Sequence, residues 1–327
     1  MSITIRSLLA GAALLFIAPT VYAEEVTLRL AHVLSPSEPM HLAAERYAEI
    51  VAERSDGRIS ISVFPSGQLG GNPDLYEQVR MGVPVIQISD PGYLSDFVAD
   101  FGVLNGPYLL DDPADFQKLI ESDWYAGIVE QIAEEHRIRV LSLNWLFGSR
   151  HIIANQPVRT LDDMENLAIR VPPNVMWIET FRALGARGTT LDWPEVYSGL
   201  ANRVIDAAEA PLSSLYGSRL YESADTISMT SHFIAFTGPI INEDLFQSMP
   251  TDLREILTEA AVEAGLYMAD LVNEGQATFR ASLEAQGTTF VDDVDTAAFR
   301  EATASVYDAF PEWSEGLHDR IRALLDD

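Results

Sequence analysis

The sequence of 327 residues contains no cysteine. This absence excludes disulfide bonds, thiol catalysis, iron–sulfur clusters and a lipid anchor on an N-terminal cysteine. The six histidines are scattered, without the paired spacing of a zinc site. The chain also lacks a Gly-x-Ser-x-Gly nucleophile elbow and a Gly-Lys-Ser/Thr phosphate loop. We therefore predict no metal, no cofactor and no enzymatic activity.

Basic residues are scarce. The chain has 21 Lys and Arg against 49 Asp and Glu, which gives a net charge of −28. Nucleic acid is excluded as a partner, because binding to phosphates needs a basic surface. The overall field also repels small anions. An anionic ligand would have to be held by a few locally placed arginines.

The N-terminal segment has the pattern of a secretion signal. Arg6 supplies the positive charge, residues 8–18 are apolar, and Val21-Tyr22-Ala23 is a small-residue cleavage site. The apolar run is too short to span a bilayer. The sequence predicts a cleavable signal peptide over residues 1–23 and export of the remaining chain.

The rest of the chain alternates between strand and helix periodicity. Residues 26–92 read as strand, helix, strand, helix, strand, which is typical of parallel α/β units. A helical pattern over residues 251–284 exceeds the length of an ordinary helix. Because the chain is longer than a usual single domain, we expect two α/β domains.

Residues 166–211 contain the strongest candidate site. Leu167 to Val171 alternate like a short strand, and Pro172-Pro173 ends it before a helix capped by Asn174. Arg170 thus lies at the carboxyl end of a strand and close to a helix N-terminus, where α/β sheets bind ligands. This position predicts a carboxylate site. The alternative is a surface arginine or one paired with a local acid.

Several segments in collinear order resemble the solute-binding proteins of TRAP transporters. They cover nearly all of the chain after residue 23 and comprise Ala31-His-Val33, the run from Gly57 to Gly70, Phe147-Gly-Ser-Arg150, Arg170-Val-Pro172, Phe181-Arg-Ala-Leu-Gly-Ala186, Glu195-Val-Tyr-Ser-Gly-Leu200 and Asp206-Ala-Ala-Glu-Ala-Pro211. The family consists of periplasmic receptors that deliver organic acids to a sodium-driven membrane transporter.

The resemblance implies a two-lobed α/β clamshell with a long interdomain helix. Its expected domain I comprises residues 24–147 plus 236–275, and domain II comprises residues 148–235 plus 276–327. It further implies a periplasmic location, a monomer, a small organic acid as ligand and integral TRAP transporter subunits as partners.

The resemblance also implies which residues bind the ligand. Arg170 is expected to hold the ligand carboxylate in a bidentate bond, with Arg150 as the second basic group. The other expected ligand-binding residues are Trp193, Asp90, Glu209, Asn72 and His32. For Trp193 the alternative is a core residue packed on Tyr197, and for His32 it is a buried histidine with its hydrogen bonds satisfied.

The ligand class stays open among several acids. Sialic acid receptors of this family have Glu-Asn-Pro where this chain has Glu209-Ala210-Pro211, so the amide that bonds sialic acid is missing. An apolar or aromatic carboxylate therefore stands beside sugar acids and dicarboxylates; the aromatic residues considered are Tyr93, Trp145, Phe147 and Trp177. Alternatives of another class are an exported enzyme acting on acidic sugars and the sensor domain of a signalling protein.

Overall fold

The computed structural model describes residues 26–326, so the predicted signal peptide at residues 1–23 lies outside the described residues. The strands are β1 Val26–Ala31, β2 Ile59–Phe64, β3 Val85–Ser89, β4 Ile138–Val140, β5 Trp145–Ser149, β6 His151–Ala154, β7 Ala168–Val171, β8 Arg187–Thr190, β9 Ala207–Ala210, β10 Thr226–Ser228, β11 Ile234–Asn242 and β12 Thr289–Val291. The α-helices are α1 Pro39–Arg54, α2 Asn72–Arg80, α3 Pro91–Leu94, α4 Phe116–Ile120, α5 Asp123–His136, α6 Leu161–Met164, α7 Val175–Ala183, α8 Val196–Ala201, α9 Leu212–Gly217, α10 Glu243–Ser248, α11 Thr251–Ala285, α12 Thr296–Thr303 and α13 Leu317–Asp326. Short 3₁₀ helices span Ala99–Asn105, Pro113–Asp115, Trp193–Glu195, Leu220–Glu222 and Ala304–Asp308.

The first lobe is built on a sheet with the strand order β2-β1-β3-β11-β4, and β5 pairs with β11. β1 is parallel to both β2 and β3, which confirms the parallel units predicted for residues 26–92. β11 runs antiparallel to β3, β4 and β5. Leu28 and Leu30 of β1 are fully buried, because alternate residues of a strand face the core.

The second lobe is built on a sheet with the order β12-β10-β6-β9-β7-β8. Every residue of β7 and β9 is buried, as expected for strands covered on both faces. Two apolar clusters pack there, one including Phe181 and the other Leu215. The chain enters this sheet through Arg150, the single residue between β5 and β6, and returns between β10 and β11.

The long helix α11 contacts both lobes, as the resemblance implied. It spans 35 residues. On the first lobe, the Tyr47 hydroxyl of α1 donates to the carbonyl of Leu257 at 3.1 Å. On the second lobe, the ring of Phe279 lies 6.3 Å from that of Tyr216 in α9. Over the described residues, no helix combines the length and the apolar character that crossing a bilayer requires.

The C-terminal helix differs from the expected domain boundary. Residues 276–327 were assigned to domain II, but Leu317, Ile321 and Leu325 of α13 belong to the core of the first lobe. The Lys118 ammonium of α4 also donates to the carbonyl of Leu325 at 2.7 Å. The range is therefore divided, with β12 in the second sheet and α13 on the first lobe.

The segment before β9 is also organised differently from the prediction. The sequence pattern, with Asp192 as a cap and Pro194 in the first turn, predicts a helix from Trp193 to Arg203 and a strand from Val204 to Ala208. A 3₁₀ turn and the short α8 replace the helix, which ends before Arg203 because that residue has a left-handed backbone with φ of 57°. The strand begins three residues later than expected, so Glu209 lies within β9 rather than after it.

Candidate functional site

A cavity of about 70 Å³ lies between the two lobes. Five of the seven predicted ligand-binding residues line it. The lining residues are Val33, Leu34, Asn72, Asp90, Tyr93, Phe147, Arg150, Arg170, Pro172, Trp177, Trp193, Ala210 and Ala235. Asp90 follows β3, Arg170 is the second-last residue of β7, and Ala210 ends β9. The cavity thus lies at the carboxyl ends of strands from both sheets, where ligands bind in α/β proteins.

Arg170 is a buried cation with an open guanidinium edge. Only 3% of its surface is exposed. Its Nε donates to the carbonyl of Leu191 at 2.9 Å, and this is its one side-chain hydrogen bond among the described residues. Burial lowers the pKa of Arg170 from its ordinary value, but arginine stays charged at neutral pH. The remaining edge matches the two oxygens of a carboxylate.

Arg150 is held by an internal partner. Its Nε and Nη2 donate to the two carboxylate oxygens of Glu209 at 2.6 and 2.8 Å, and both side chains are buried. Burial alone would raise the pKa of Glu209, but the charge and hydrogen bonds of Arg150 outweigh it and lower the pKa to about 2. The pair is therefore ionised, and Glu209 cancels the charge of Arg150.

Two further side chains orient Glu209. The Trp177 indole donates to Oε1 at 3.1 Å, and His232 Nε2 lies 3.2 Å from Oε2. His232 Nδ1 is 2.7 Å from the hydroxyl of Thr230. Burial lowers the pKa of His232, so a neutral ring is favoured. Sequence reasoning missed His232 as part of the site, because an isolated histidine on a crossing segment carries no spacing signal.

Polar groups of the first lobe face the arginines. Asp90 caps α3 and accepts from the Gly92 amide at 2.8 Å and from the Asn105 side chain at 3.0 Å. Burial raises the pKa of Asp90, although these bonds and Arg150 oppose the shift. Asn72 starts α2, and its carbonyl accepts from Gln87 at 3.3 Å. These groups can accept or donate to ligand hydroxyls.

Aromatic rings complete the walls of the cavity. The guanidinium carbon of Arg170 lies 5.3 Å from the centre of the Trp193 ring, within the range of a cation–π contact. The Trp193 indole donates to the hydroxyl of Ser218 at 3.1 Å, so the ring is fixed. Trp145, considered as a wall residue, is instead fully buried in the first core, where its indole donates to the carbonyl of Ala261 at 2.8 Å.

His32 is not among the residues that line the cavity. It is 2% exposed, its Nε2 lies 3.1 Å from Nδ1 of His41, and its Nδ1 accepts from the Leu34 amide at 3.2 Å. Burial, followed by the charge of His41, lowers the pKa of His32 to about 3, so the ring is neutral. The structure thus matches the alternative of a buried histidine with its hydrogen bonds satisfied.

A larger groove of about 920 Å³ lies on the second lobe, away from these residues. Its charged lining consists of Glu165, Asp206 and Glu222 with Arg203. Three acids against one base repel a carboxylate, so this groove does not fit the predicted ligand. The smaller cavity with the buried arginines is the candidate site.

Two α/β lobes that close over a buried cationic cavity define a protein that encloses a small anionic solute. Sequence comparison specifies the family. The profile of the bacterial extracellular solute-binding proteins of family 7 matches residues 30–312. The chain belongs to this family, which comprises the solute-binding proteins of TRAP transporters. Its members are receptors and not enzymes.

Solved structures of the family have the same fold. A TRAP periplasmic solute-binding protein from Ochrobacterium anthropi with bound L-fuconate is 37% identical, with a TM-score of 0.90, and the match covers 92% of this chain and 99% of that one. Its counterpart from Roseobacter denitrificans with bound L-galactonate is 28% identical, with a TM-score of 0.86 and the same coverage of both chains. The predicted two-lobed fold and receptor class are confirmed.

The described conformation is more similar to a ligand-bound relative than to an open one. An Escherichia fergusonii relative in an apo open structure is 27% identical over 91% of this chain and 99% of that one, with a TM-score of only 0.79. The ligand-bound Roseobacter denitrificans relative, at nearly the same identity, reaches 0.86. The two relatives are about equally similar in sequence, but the open one is less similar in structure. A different arrangement of the two lobes in the open relative accounts for this difference.

Proposed function

We propose that this protein is the periplasmic receptor of a TRAP transporter for a sugar acid, a hydroxylated monocarboxylate. The observation that carries the proposal is the open guanidinium edge of buried Arg170, which faces hydrogen-bonding groups of the other lobe. The receptor releases its ligand to the integral membrane subunits of the transporter. It acts as an exported monomer.

The charges of the cavity favour a ligand with one carboxylate. Glu209 neutralises Arg150, so Arg170 is the cation whose charge is left for the ligand. The Asp90 carboxyl on the opposite side of the cavity is either negative or, when protonated, neutral, so it adds no positive charge. A dicarboxylate would bring a second anionic group into a buried space that has one uncompensated cation. We assign Arg170 to the carboxylate and Arg150 to the adjacent polar group of the ligand.

The polar first-lobe side of the cavity favours hydroxyl groups on the ligand chain. The Asp90 carboxyl and the Asn72 amide provide acceptors and a donor there. Trp193 and Ala210 offer apolar surface to the carbon chain. L-fuconate and L-galactonate, bound in two relatives, have this combination of one carboxylate and several hydroxyls.

A binding panel tests the ligand class. Calorimetry and thermal unfolding would compare L-fuconate, L-galactonate, succinate, benzoate and sialic acid. We expect the two aldonates to bind and to raise the melting temperature, because a ligand that binds only the folded state stabilises it by mass action. Tighter binding of benzoate would favour the aromatic acid, and tighter binding of succinate the dicarboxylate. Conversion of a ligand to product would refute the receptor function.

Arg170→Ala tests the carboxylate contact. Hydrogen bonds to charged groups contribute about 1.5–3 kcal/mol each, so losing a two-pronged contact should weaken aldonate binding at least about 100-fold. Arg170→Lys keeps the charge but not the planar fork and should give an intermediate loss. Arg187→Ala, on exposed β8, is the matched control and should bind normally. Full affinity in Arg170→Ala would contradict the assignment.

A further inference from the structure

A second buried carboxyl lies between the lobes, outside the cavity. Glu38, in the loop between β1 and α1, is 1% exposed. Its Oε1 accepts from the Ser35 amide of the same loop at 3.0 Å. Its Oε2 accepts from the hydroxyl of Ser214 in α9 of the second lobe at 2.5 Å. Neither Glu38 nor Ser214 lines the cavity, so the contact is separate from the ligand site.

The backbone of the second lobe lies directly against this carboxyl. A Cβ atom added to Gly217, the last residue of α9, would be 2.6 Å from Glu38 Cγ and 2.8 Å from Oε1. Real Cβ atoms do not approach other atoms so closely, so a larger residue at this position would push the lobes apart. The glycine thus allows the closed lobes to surround Glu38 completely.

The burial of Glu38 depends on lobe closure. No cation pairs with this carboxyl among the described residues, so burial disfavours its charged form. Burial raises the pKa of Glu38 to about 7, although the bonds from Ser214 and Ser35 oppose the shift. When the lobes separate, the α9 side of the contact is lost and water reaches the carboxyl, so its pKa returns towards the ordinary value of a glutamate.

Few titratable residues lie near the contact between Glu38 and Ser214 in the described part of the chain, and none of them pairs with Glu38. On the first lobe, His41 of α1 pairs with Glu45 at 3.3 Å and with His32 at 3.1 Å. On the second lobe, Tyr216 is the one titratable residue of α9. Among the described residues, no neighbouring charge contributes to the shift of Glu38, which follows from burial and hydrogen bonding alone.

We propose that Glu38 and Ser214 form a latch that holds the two lobes closed, and that closing this latch takes up one proton. The latch goes beyond ligand recognition, because it acts between the lobes at residues that do not line the cavity. The protonated carboxyl is the form that tolerates burial between them. Protonation therefore favours closure, and deprotonation favours opening.

The direction of the pH effect follows from proton linkage. The closed form has the raised pKa, so it binds more protons than the open form at pH values between the two pKa values. Closure is then increasingly favoured as the pH falls from about 8 to about 4, and the effect levels off below the ordinary pKa of a glutamate. If this one group dominates, ligand affinity at pH 5 should exceed that at pH 8 on the order of 100-fold.

Calorimetry with L-fuconate in buffers of different ionisation enthalpy measures the protons taken up on binding. At about pH 6 the unaltered protein should take up close to one proton more than Glu38→Gln. The comparison isolates Glu38, because Asp90 is present in both proteins. Glu53→Gln, an exposed change on α1, is the matched control and should not alter the uptake. Equal uptake in Glu38→Gln and the unaltered protein would overturn the proposal.

A distance measurement tests the latch without any ligand. Because the chain has no cysteine, Met81→Cys on the first lobe and Val204→Cys on the second give one clean pair of spin-label sites, both exposed. The fraction of molecules with a short distance between the two labels should be larger at pH 5 than at pH 8. Ser214→Ala and Gly217→Ala should reduce it at pH 5, and Glu38→Gln should weaken its dependence on pH.

The two experiments separate failure of the latch from failure of the sugar-acid assignment. If L-fuconate does not bind, the ligand class is wrong, and the pH-dependent distances alone decide about the latch. If L-fuconate binds but the distances and proton uptake are the same in Glu38→Gln as in the unaltered protein, the latch is wrong and the ligand class stands.

Discussion

Arg150 and Arg170 line the same cavity, but their neighbours give them different tasks. Glu209 accepts two hydrogen bonds from Arg150 and is itself bonded by Trp177 and His232. The Arg170 guanidinium has a backbone carbonyl as its partner and stacks near Trp193. Arg150 is thus part of a fixed polar network, whereas Arg170 keeps a binding edge for an external anion.

Glu209→Ala should strongly destabilise the protein. It removes one partner of a buried ion pair and leaves the Arg150 charge unpaired inside the protein, which typically costs about 3–5 kcal/mol. Urea unfolding followed by tryptophan fluorescence measures the loss. Glu49→Ala, which breaks the exposed pair with Arg46, should cost less than about 1 kcal/mol. Similar losses in both variants would show that the Arg150–Glu209 pair is not an essential support of the site.

The sequence identified the cations of the site but not the connections among them. Arg170 was recognisable because a short alternating strand and two prolines fix its place at a strand end. The partner of Arg150 lies 59 residues away, and the two meet because β6 pairs with β9. Such a register is set by tertiary packing, which no local pattern encodes. For the same reason the bond between His32 and His41 was not predictable.

Helix α11 packs closely against the first lobe at Gly265. A Cβ atom on Gly265 would come within 2.2 Å of the Asn144 side chain, just before β5. That side chain is fixed by the hydroxyl of Ser142 at 2.6 Å and donates to the carbonyl of Val262 at 2.9 Å. A larger residue at this position would therefore displace the Asn144 side chain from its hydrogen bonds.

Gly265→Ala should destabilise the protein although alanine is the better helix former. The gain in helix propensity is about 1 kcal/mol, whereas overpacking a tight contact costs about 1–3 kcal/mol, and two hydrogen bonds of Asn144 are disturbed as well. Gly127→Ala in α5 is the matched control, since its Cβ meets nothing within 4 Å. It should stabilise by about 0.5–1 kcal/mol. Chemical unfolding measures both, and a gain in Gly265→Ala would contradict the packing argument.

Local patterns predicted the elements better than their places in the fold. The alternation of β1 and the length of α11 were legible because periodicity and stop residues are local properties. The lobe against which α13 packs could not be predicted in this way. Its apolar stripe of Leu317, Ile321 and Leu325 predicts a helix with one buried face but does not say which lobe covers that face.

The protein combines a strongly negative overall charge with a positively charged binding site. Its net charge is −28, yet its proposed ligand is an anion. The two effects act over different distances, because the potential of the whole surface extends into solvent while Arg170 acts only inside the closed cavity. Approach of the ligand is therefore opposed by the field, and capture depends on contacts made after entry.

Added salt should accelerate the binding of L-fuconate. At about 0.1 M ionic strength the screening length is about 10 Å, so the repulsive field of the surface is weakened, while the buried contact with Arg170 is screened much less. We expect the association rate to rise on the order of threefold between about 0.01 and 0.3 M salt, the reverse of the usual steering of an anion towards a basic protein. Stopped-flow fluorescence can follow Trp177 and Trp193, which line the cavity. Sodium, potassium and choline chloride should act alike, and a rate that falls with salt would show that the local arginines dominate the approach.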